Sequence, residues 1–197
     1  MAKLYGSLNN RIDEGHNYNK DGLIHEGDDV TMYHWSDRTC YFVTKVFSQE
    51  HIMVHKYHVC ADHSKEGGMG RQNWLYFKTA AEMNKYLNSC LLKLDERKIA
   101  YDESAKEGGD TELMFRRGKW RVVSRYNLDR WEKAKEMAAR NPKSGQPKEG
   151  MARFYFDLFK LTDKQFQRVM QGKEVLKFSE FGNISFGVRD YYYDWEF

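Results

Sequence analysis

The chain has 197 residues, of which 41% are hydrophobic, 15% aromatic and 31% charged, with only 2 prolines. This composition is typical of a soluble globular protein, and no apolar stretch approaches the roughly 18 residues that a membrane-spanning helix needs. The 32 lysines and arginines nearly balance the 29 acids. A net charge of +3 does not by itself indicate a nucleic-acid binder.

The beginning of the chain and the cysteines predict where the protein resides. Residues 1–10 lack the apolar centre of a secretory signal. The three cysteines, Cys40, Cys60 and Cys90, are odd in number and lack the spacing of a disulfide framework. We therefore expect reduced thiols, a cytoplasmic location and no contact with a membrane.

The predicted elements begin after a polar, glycine-containing stretch, residues 1–27, which we expect to form a flexible arm. Strands are predicted at 30–35 and 41–47, where residues alternate in polarity or are β-branched and aromatic. Ser36, Asp37 and Arg38 form the turn between them, since short polar side chains bond to nearby backbone amides. A third alternating strand follows at 51–58.

The next elements enclose a glycine-rich loop, 61–72, which is long enough to be functional. A short strand is predicted at 74–77, followed by a helix that Thr79 caps and that runs to about Asp95. A hairpin is predicted over 113–125, with Arg117 and Gly118 at its turn.

The last third of the chain begins with a helix over 128–140, which Asn127 starts. Residues 141–150 contain both prolines and are predicted to form a linker. Beyond it we expect a C-terminal α+β segment, 151–197, that packs on the core domain, 28–140. That segment is predicted to hold a strand at 154–159, a helix between Thr162 and Gly172, and a hairpin of 175–178 with 184–188.

These elements predict an α+β fold, because most successive strands are joined by turns too short for parallel crossovers. Two arrangements fit: a mainly antiparallel sheet, or a small SH3-like barrel, in either case with two to three packed helices. No internal repeat is visible.

Two stretches, MYHWSDRTCYFVTKV at 32–46 and ISFGVRDYYYDWEF at 184–197, resemble a family of small phage and prophage proteins of Gram-positive and gut bacteria. The resemblance covers about half of the chain in scattered pieces. It implies an accessory phage gene whose product acts in the host cytoplasm on the host or on its defences. It transfers no activity and no catalytic residue.

One stretch, HIMVHKYHVCADH, could supply metal ligands. The candidate ligands are His51, His55, His58, Cys60 and His63. The two-residue period of a strand places His51 and His55 on one face and His58 and Cys60 on the other. Since zinc needs three or four converging ligands, we favour partly exposed strand histidines and expect no metal and no other cofactor.

Basic residues concentrate in the segment 115–153, and aromatic residues lie among them in the predicted hairpin at its start. The segment 115–153 holds 12 lysines and arginines and 4 acids, a local net charge of +8. Guanidinium groups suit phosphates, and aromatic faces suit bases or nucleotide rings. Alternation places Trp120 opposite the arginines, so a core role for Trp120 is the alternative. We take as candidate ligand-binding residues Arg38, Trp74, Arg116, Arg117, Trp120, Arg121 and Arg125.

The end of the chain, DYYYDWEF, combines aromatic residues with acids, a composition found at interfaces. It would contact a partner protein, dock on the basic hairpin, or mediate self-association into a homo-oligomer. The candidate partner-binding residues are Asp190, Tyr191, Tyr192, Tyr193, Asp194 and Trp195.

No phosphate loop, dinucleotide-binding glycine pattern, Cys-x-x-Cys pair or His-Glu-x-x-His helix is present, so we expect no enzyme. The leading hypothesis is a non-enzymatic phage accessory protein that inhibits a host defence system by binding. It would either sequester a nucleotide-derived signal or block a defence effector such as a CRISPR nuclease. The alternatives are a nucleic-acid-binding module that uses 115–153 and a metal-dependent nuclease.

Overall fold

The computed structural model of the protein describes residues 4–5, 8–9, 15–33, 38–62, 74–89, 109–140, 152–153, 155–156 and 160–189. The described strands are β1 (Leu4–Tyr5), β2 (Leu8–Asn9), β3 (Asp29–Tyr33), β4 (Arg38–Ser48), β5 (His51–Lys56), β6 (His58–Ala61), β7 (Trp74–Phe77), β8 (Thr111–Arg116), β9 (Lys119–Tyr126), β10 (Val175–Glu180) and β11 (Asn183–Phe186). The described helices are α1 (Ala80–Ser89), α2 (Leu128–Arg140) and α3 (Asp163–Met170). The α+β class predicted from the sequence is confirmed.

Seven of these strands form one sheet in the order β10-β9-β8-β5-β4-β3-β11. The pairs β11–β3, β3–β4, β4–β5 and β5–β8 are antiparallel. The pairs β1–β2 and β6–β7 form separate two-stranded antiparallel sheets. The described strands close no barrel, so the mainly antiparallel sheet is the arrangement observed. No helix in the described ranges is long and apolar enough to cross a membrane.

The chain divides into two compact units. Unit 1 comprises residues 1–121 and 180–197, and unit 2 comprises residues 122–179. The predicted linker, 141–150, lies outside the described residues.

The core of unit 1 follows from the alternation of its strands. Val30 and Met32 of β3 are buried, and the register places Phe186 and Ile184 of β11 opposite them. On the other side of β3, the pairing of β4 with β5 brings buried Val43 against Val54. One face of the sheet is therefore a continuous apolar surface that excludes water and stabilises unit 1.

The sheet curls strongly. Four strands lie between β9 and β11 in the sheet order, yet the rings of Trp120 and Phe186 are 5.5 Å apart. The backbone N–H of Phe181 also donates to the carbonyl of Trp120 at 3.4 Å. The apolar face is thus the inner side of the curl.

The hairpin of β8 and β9 has the turn that its sequence predicts. Arg117 has φ 55° and Gly118 has φ 75°. Positive φ at both central residues is the signature of a type I′ turn, whose twist matches that of the two strands. This turn places Phe115 and Trp120 near one another at the tip of the hairpin.

Three predicted elements differ from the structure. The strand predicted at 51–58 breaks at Tyr57, whose N–H donates to Cys40 while its hydroxyl donates to Asp29, and β6 then joins a different sheet. The hairpin predicted from 175–178 and 184–188 is wrong, because β10 and β11 stand at opposite ends of the sheet order.

The strand predicted at 154–159 is also wrong where the structure describes it. The N–H of Phe156 donates to the carbonyl of Ala152, a helical bond, and Tyr155 is helical. Phe156 is fully buried against the rings of Tyr126 and Trp131 at 5.5 and 5.2 Å. Packing of residues four apart on one aromatic cluster favours the helical turn over the local strand propensity.

Unit 2 has its own core around Phe156, to which α2 contributes Trp131 and Ala134 and α3 contributes Val169. Both helices begin as predicted. Asn127 accepts a bond from the Arg130 N–H of α2, and Thr162 forms a capping box with Gln165 of α3. Such caps satisfy amide groups that the first turn of a helix leaves without partners.

Candidate ligand-binding cleft

A cleft of about 450 Å³ opens at the end of the curled sheet where the β8–β9 turn lies. We call it the Trp120 cleft. All of its lining residues belong to unit 1, and they come from four separate parts of the chain. They are Gly15, Asn17, Gly22, Ile24, Gln49, Glu50, Phe115, Gly118, Lys119, Trp120, Gly182, Asn183, Ile184 and Phe186.

Three aromatic rings form one wall of the cleft. The Trp120 ring lies 5.5 Å from Phe115, at 58°, and 5.5 Å from Phe186, at 63°. The tilted contact with Phe115 and the edge-to-face contact with Phe186 hold the indole in place, and Trp120 is only partly buried. A partly exposed indole held by two neighbours can stack on a planar ligand without first losing much conformational freedom.

A second part of the lining comes from a loop, residues 15–24, that belongs to the arm predicted from the sequence. Phe186 exchanges backbone hydrogen bonds with this loop, accepting from Tyr18 and donating to His16, both at 3.0 Å. The Gln49 amide accepts from the Ile24 N–H at 2.7 Å and donates to the Ile24 carbonyl at 3.1 Å. The loop is thus attached to the sheet at both of its ends.

Among the described residues, two charged ones, Glu50 and Lys119, line the cleft. The Lys119 ammonium lies 3.7 Å from the Glu180 carboxylate, and both side chains are more than half exposed. An exposed pair of this kind contributes at most about 1 kcal/mol, so an incoming phosphate can replace the carboxylate. Glu50 is exposed at the β4–β5 turn.

The backbone also shapes the cleft at Gly182. This residue has φ 106°, and a Cβ placed there would lie 3.0 Å from the Tyr33 carbonyl oxygen. Only glycine combines that conformation with so close an approach to β3. The start of β11, with Asn183 and Ile184, therefore lies close to the end of β3.

Of the seven candidate ligand-binding residues, Trp120 alone lines the cleft. Arg116 and Arg117 are exposed at the adjoining turn, and Arg121 is partly buried on β9. These three arginines are therefore neighbours in sequence of residues that line the cleft, but they are not part of the lining themselves.

The other three candidates lie elsewhere. Arg38 is the first residue of β4 and is buried opposite Tyr33, whereas the sequence placed it in an exposed turn. Trp74 begins β7 in a separate sheet. Arg125 belongs to unit 2, where its guanidinium donates to the Glu174 carboxylate at 2.8 Å.

Two histidines of the histidine-rich stretch each contact a carboxylate and do not converge on a common point. His51 lies 2.7 Å from Glu112, and His55 lies 2.9 Å from Asp110. As predicted, these two histidines share one face of β5, opposite the buried side chains of Ile52 and Val54. Within the described residues no three histidine, cysteine, aspartate or glutamate side chains group as metal ligands, and His63 lies outside those residues.

The acidic, aromatic segment with the six candidate partner-binding residues, 190–195, lies outside the described residues. The residue before it, Arg189, is held on the outer face of the sheet. Its guanidinium lies 4.9 Å from the Tyr76 ring centre and 5.3 Å from that of Tyr57, and it faces Asp29 at 3.6 Å. Burial, followed by the hydrogen bond to Asp29, raises the pKa of Tyr57 above its usual range.

Sequence analysis missed most of the cleft. The sequence predicts a terminal hairpin at Phe186 and a flexible arm for the 15–24 loop, and it singles out neither Gln49 nor Glu50. The only local signal is the polar stretch NYNKDG at 17–22, whose asparagines form Asx-type bonds such as Asn17 to the Asn19 N–H at 3.0 Å. That signal predicts a structured turn but not its position against β11.

Comparisons of the chain with protein-family models, with curated proteins and with solved structures give no match.

Proposed function

We propose that this protein is a non-enzymatic binding protein that captures a nucleotide-derived molecule in the Trp120 cleft. The observation that carries the proposal is the joint lining of one cleft by the aromatic residues Phe115, Trp120 and Phe186 and by Lys119. Stacking of a base on an aromatic side chain is worth about 1–3 kcal/mol, and an ammonium group is a common phosphate ligand.

The size of the cleft is consistent with this ligand class. Small-molecule sites have volumes of about 300–1,000 Å³, and the Trp120 cleft lies in the lower part of that range. A single nucleotide is of suitable size, whereas a larger derivative would extend past the turn at Arg117.

The biological setting comes from the sequence resemblance to phage accessory proteins. In that setting, capture would withhold a nucleotide-derived signal from a host defence system. Of the two versions of this hypothesis, sequestration is the one that the cleft supports. Blocking of a defence effector through 190–195 rests on the sequence alone.

A test uses isothermal titration calorimetry with a panel of ribonucleoside monophosphates. We expect Trp120→Ala to weaken binding about 5- to 150-fold, the loss of one stacking contact, and Trp120→Phe to retain most of the affinity. The matched control is Phe47→Ala, because Phe47 is an exposed aromatic on β4 outside the cleft lining. Binding that is unchanged in a folded Trp120→Ala variant, or no binding by any nucleotide, would refute the proposal.

A single-stranded nucleic acid is the second candidate, favoured by exposed Arg116 and Arg117 beside the cleft. In that case an oligonucleotide would bind more tightly than a mononucleotide, and its affinity would fall steeply with salt. The variant Arg117→Gln would then reduce oligonucleotide binding and leave mononucleotide binding unchanged.

A further inference from the structure

The lining of the Trp120 cleft contains one carboxylate, that of Glu50, among the described residues. The backbone of Glu50 is fixed on both sides. Its N–H donates to the Ser48 hydroxyl at 3.3 Å, and its carbonyl accepts from the Phe115 N–H at 2.8 Å. The side chain therefore starts from a defined point next to the aromatic wall, and it is exposed.

The described lining also contains three amide side chains, those of Asn17, Gln49 and Asn183, and the first two hold the 15–24 loop. The Gln49 amide uses its oxygen and its nitrogen on Ile24. The Asn17 amide accepts from the Asn19 N–H and donates to the Gly22 carbonyl at 2.9 Å. Asn183 also has a partner within the protein. The Glu50 carboxylate is the strongest hydrogen-bond acceptor among these side chains, so it is the one best suited to read the edge of a bound ring.

A carboxylate only accepts hydrogen bonds, and its two oxygens match two neighbouring donors. Among the common bases, guanine presents two such donors, N1–H and the 2-amino group. Adenine and cytosine present an amino group next to an acceptor nitrogen. Uracil presents one N–H between two carbonyl oxygens, which repel a carboxylate.

From this chemistry we infer that the Trp120 cleft selects a guanine nucleotide, with Glu50 accepting from N1–H and the 2-amino group. The inference rests on the proposed nucleotide-binding function. The base stacks on the Trp120 ring, and the phosphate binds Lys119 in place of its weak contact with Glu180. A good bidentate contact of this kind discriminates between bases by about 5- to 150-fold.

The test compares GMP, IMP, AMP, CMP and UMP by calorimetry at one salt concentration. IMP is the sharpest probe, because it keeps N1–H and lacks the 2-amino group. We expect wild type to bind GMP at least about 5-fold more tightly than IMP and UMP. In Glu50→Gln the advantage of GMP over IMP should disappear, since a neutral amide offers one acceptor only.

The matched control is Glu180→Gln, which removes an exposed carboxylate outside the lining and should leave the ranking of bases unchanged. Equal binding of all five nucleotides, or a GMP advantage that survives Glu50→Gln, would overturn guanine selectivity and leave the proposed function standing. No binding by any of the five would overturn both.

Discussion

Gly187 is the position at which a single methyl group should disturb unit 1 most clearly. It follows β11, has φ 73°, and its N–H donates to the Asp29 carbonyl at 2.8 Å. A Cβ at this position would lie 2.5 Å from Asn19 Oδ1 and 3.1 Å from the Asn19 backbone nitrogen. We therefore expect Gly187→Ala to force β11 and the 15–24 loop apart.

The size of the effect follows from two terms. An alanine with positive φ costs about 1–2 kcal/mol, and overpacking costs typically about 1–3 kcal/mol more. The second term applies because Asn19 cannot easily move: its amide nitrogen donates to the Leu23 carbonyl at 2.7 Å and to the Asp28 carboxylate at 2.5 Å.

Gly27→Ala is the matched control. Gly27 also has positive φ, 91°, but a Cβ there meets nothing within 4 Å, so only the first term applies. In thermal unfolding followed by circular dichroism, Gly187→Ala should melt about 2–12 °C below Gly27→Ala. Equal melting temperatures for the two variants would show that the contact with Asn19 is not a constraint, and the reasoning would fail.

Two further predictions concern other parts of the protein. Phe156→Ala should destabilise unit 2 by about 3–5 kcal/mol in denaturant unfolding, because the substitution leaves a cavity at the centre of an aromatic core. The control is Met170→Ala, which should cost less than about 0.5 kcal/mol because Met170 is 43% exposed. Similar losses of stability in the two variants would contradict the assigned core. The pKa of the Tyr57 hydroxyl is higher in the folded protein than its unfolded value of 10.0, so the folded state keeps the hydroxyl proton at pH values where the unfolded state loses it. The stability that Tyr57 contributes in this way is complete below pH 10 and is lost as the pH rises above 10. Unfolding free energies measured from pH 9 to 11.5 should therefore fall more steeply for wild type than for Tyr57→Phe, and parallel curves would contradict this assignment.

Local signals in the sequence were sufficient for most individual elements. The Arg117–Gly118 turn, the Asn127 and Thr162 caps and the presence of strands β3 and β4 were predicted correctly, because each depends on residues within a few positions of one another. The strand predicted at 154–159 failed for the complementary reason. There, burial of Phe156 against distant aromatic residues outweighs a local preference.

The candidate site was predicted only at Trp120. Its role as either a ligand contact or a core residue could not be decided from alternation, which assigns a side chain to a face but does not show what faces it. In the structure Trp120 lines a cleft because Phe186, 66 residues further along the chain, lies beside it. Of the basic candidates, Arg116, Arg117 and Arg121 are close in sequence to cleft residues, Arg38 is buried at the start of β4, and Arg125 belongs to unit 2.

Among the described residues, the sequence by itself determined most of the strands, helices and turns, the exceptions including the helical turn at Phe156 and the break in the strand at Tyr57. Only the tertiary structure decided which strands are neighbours. The pairs β5–β8 and β3–β11 join strands that are far apart in the sequence, and they form because pairing buries the apolar side chains of both strands. The entropic cost of closing a loop rises only slowly with its length, so a strand can pair with a near or a distant partner at similar cost. The local sequence of a strand therefore carries little information about which partner it pairs with. The curl of the sheet, the attachment of the 15–24 loop and the cleft they form therefore depend on packing between residues that are far apart in sequence.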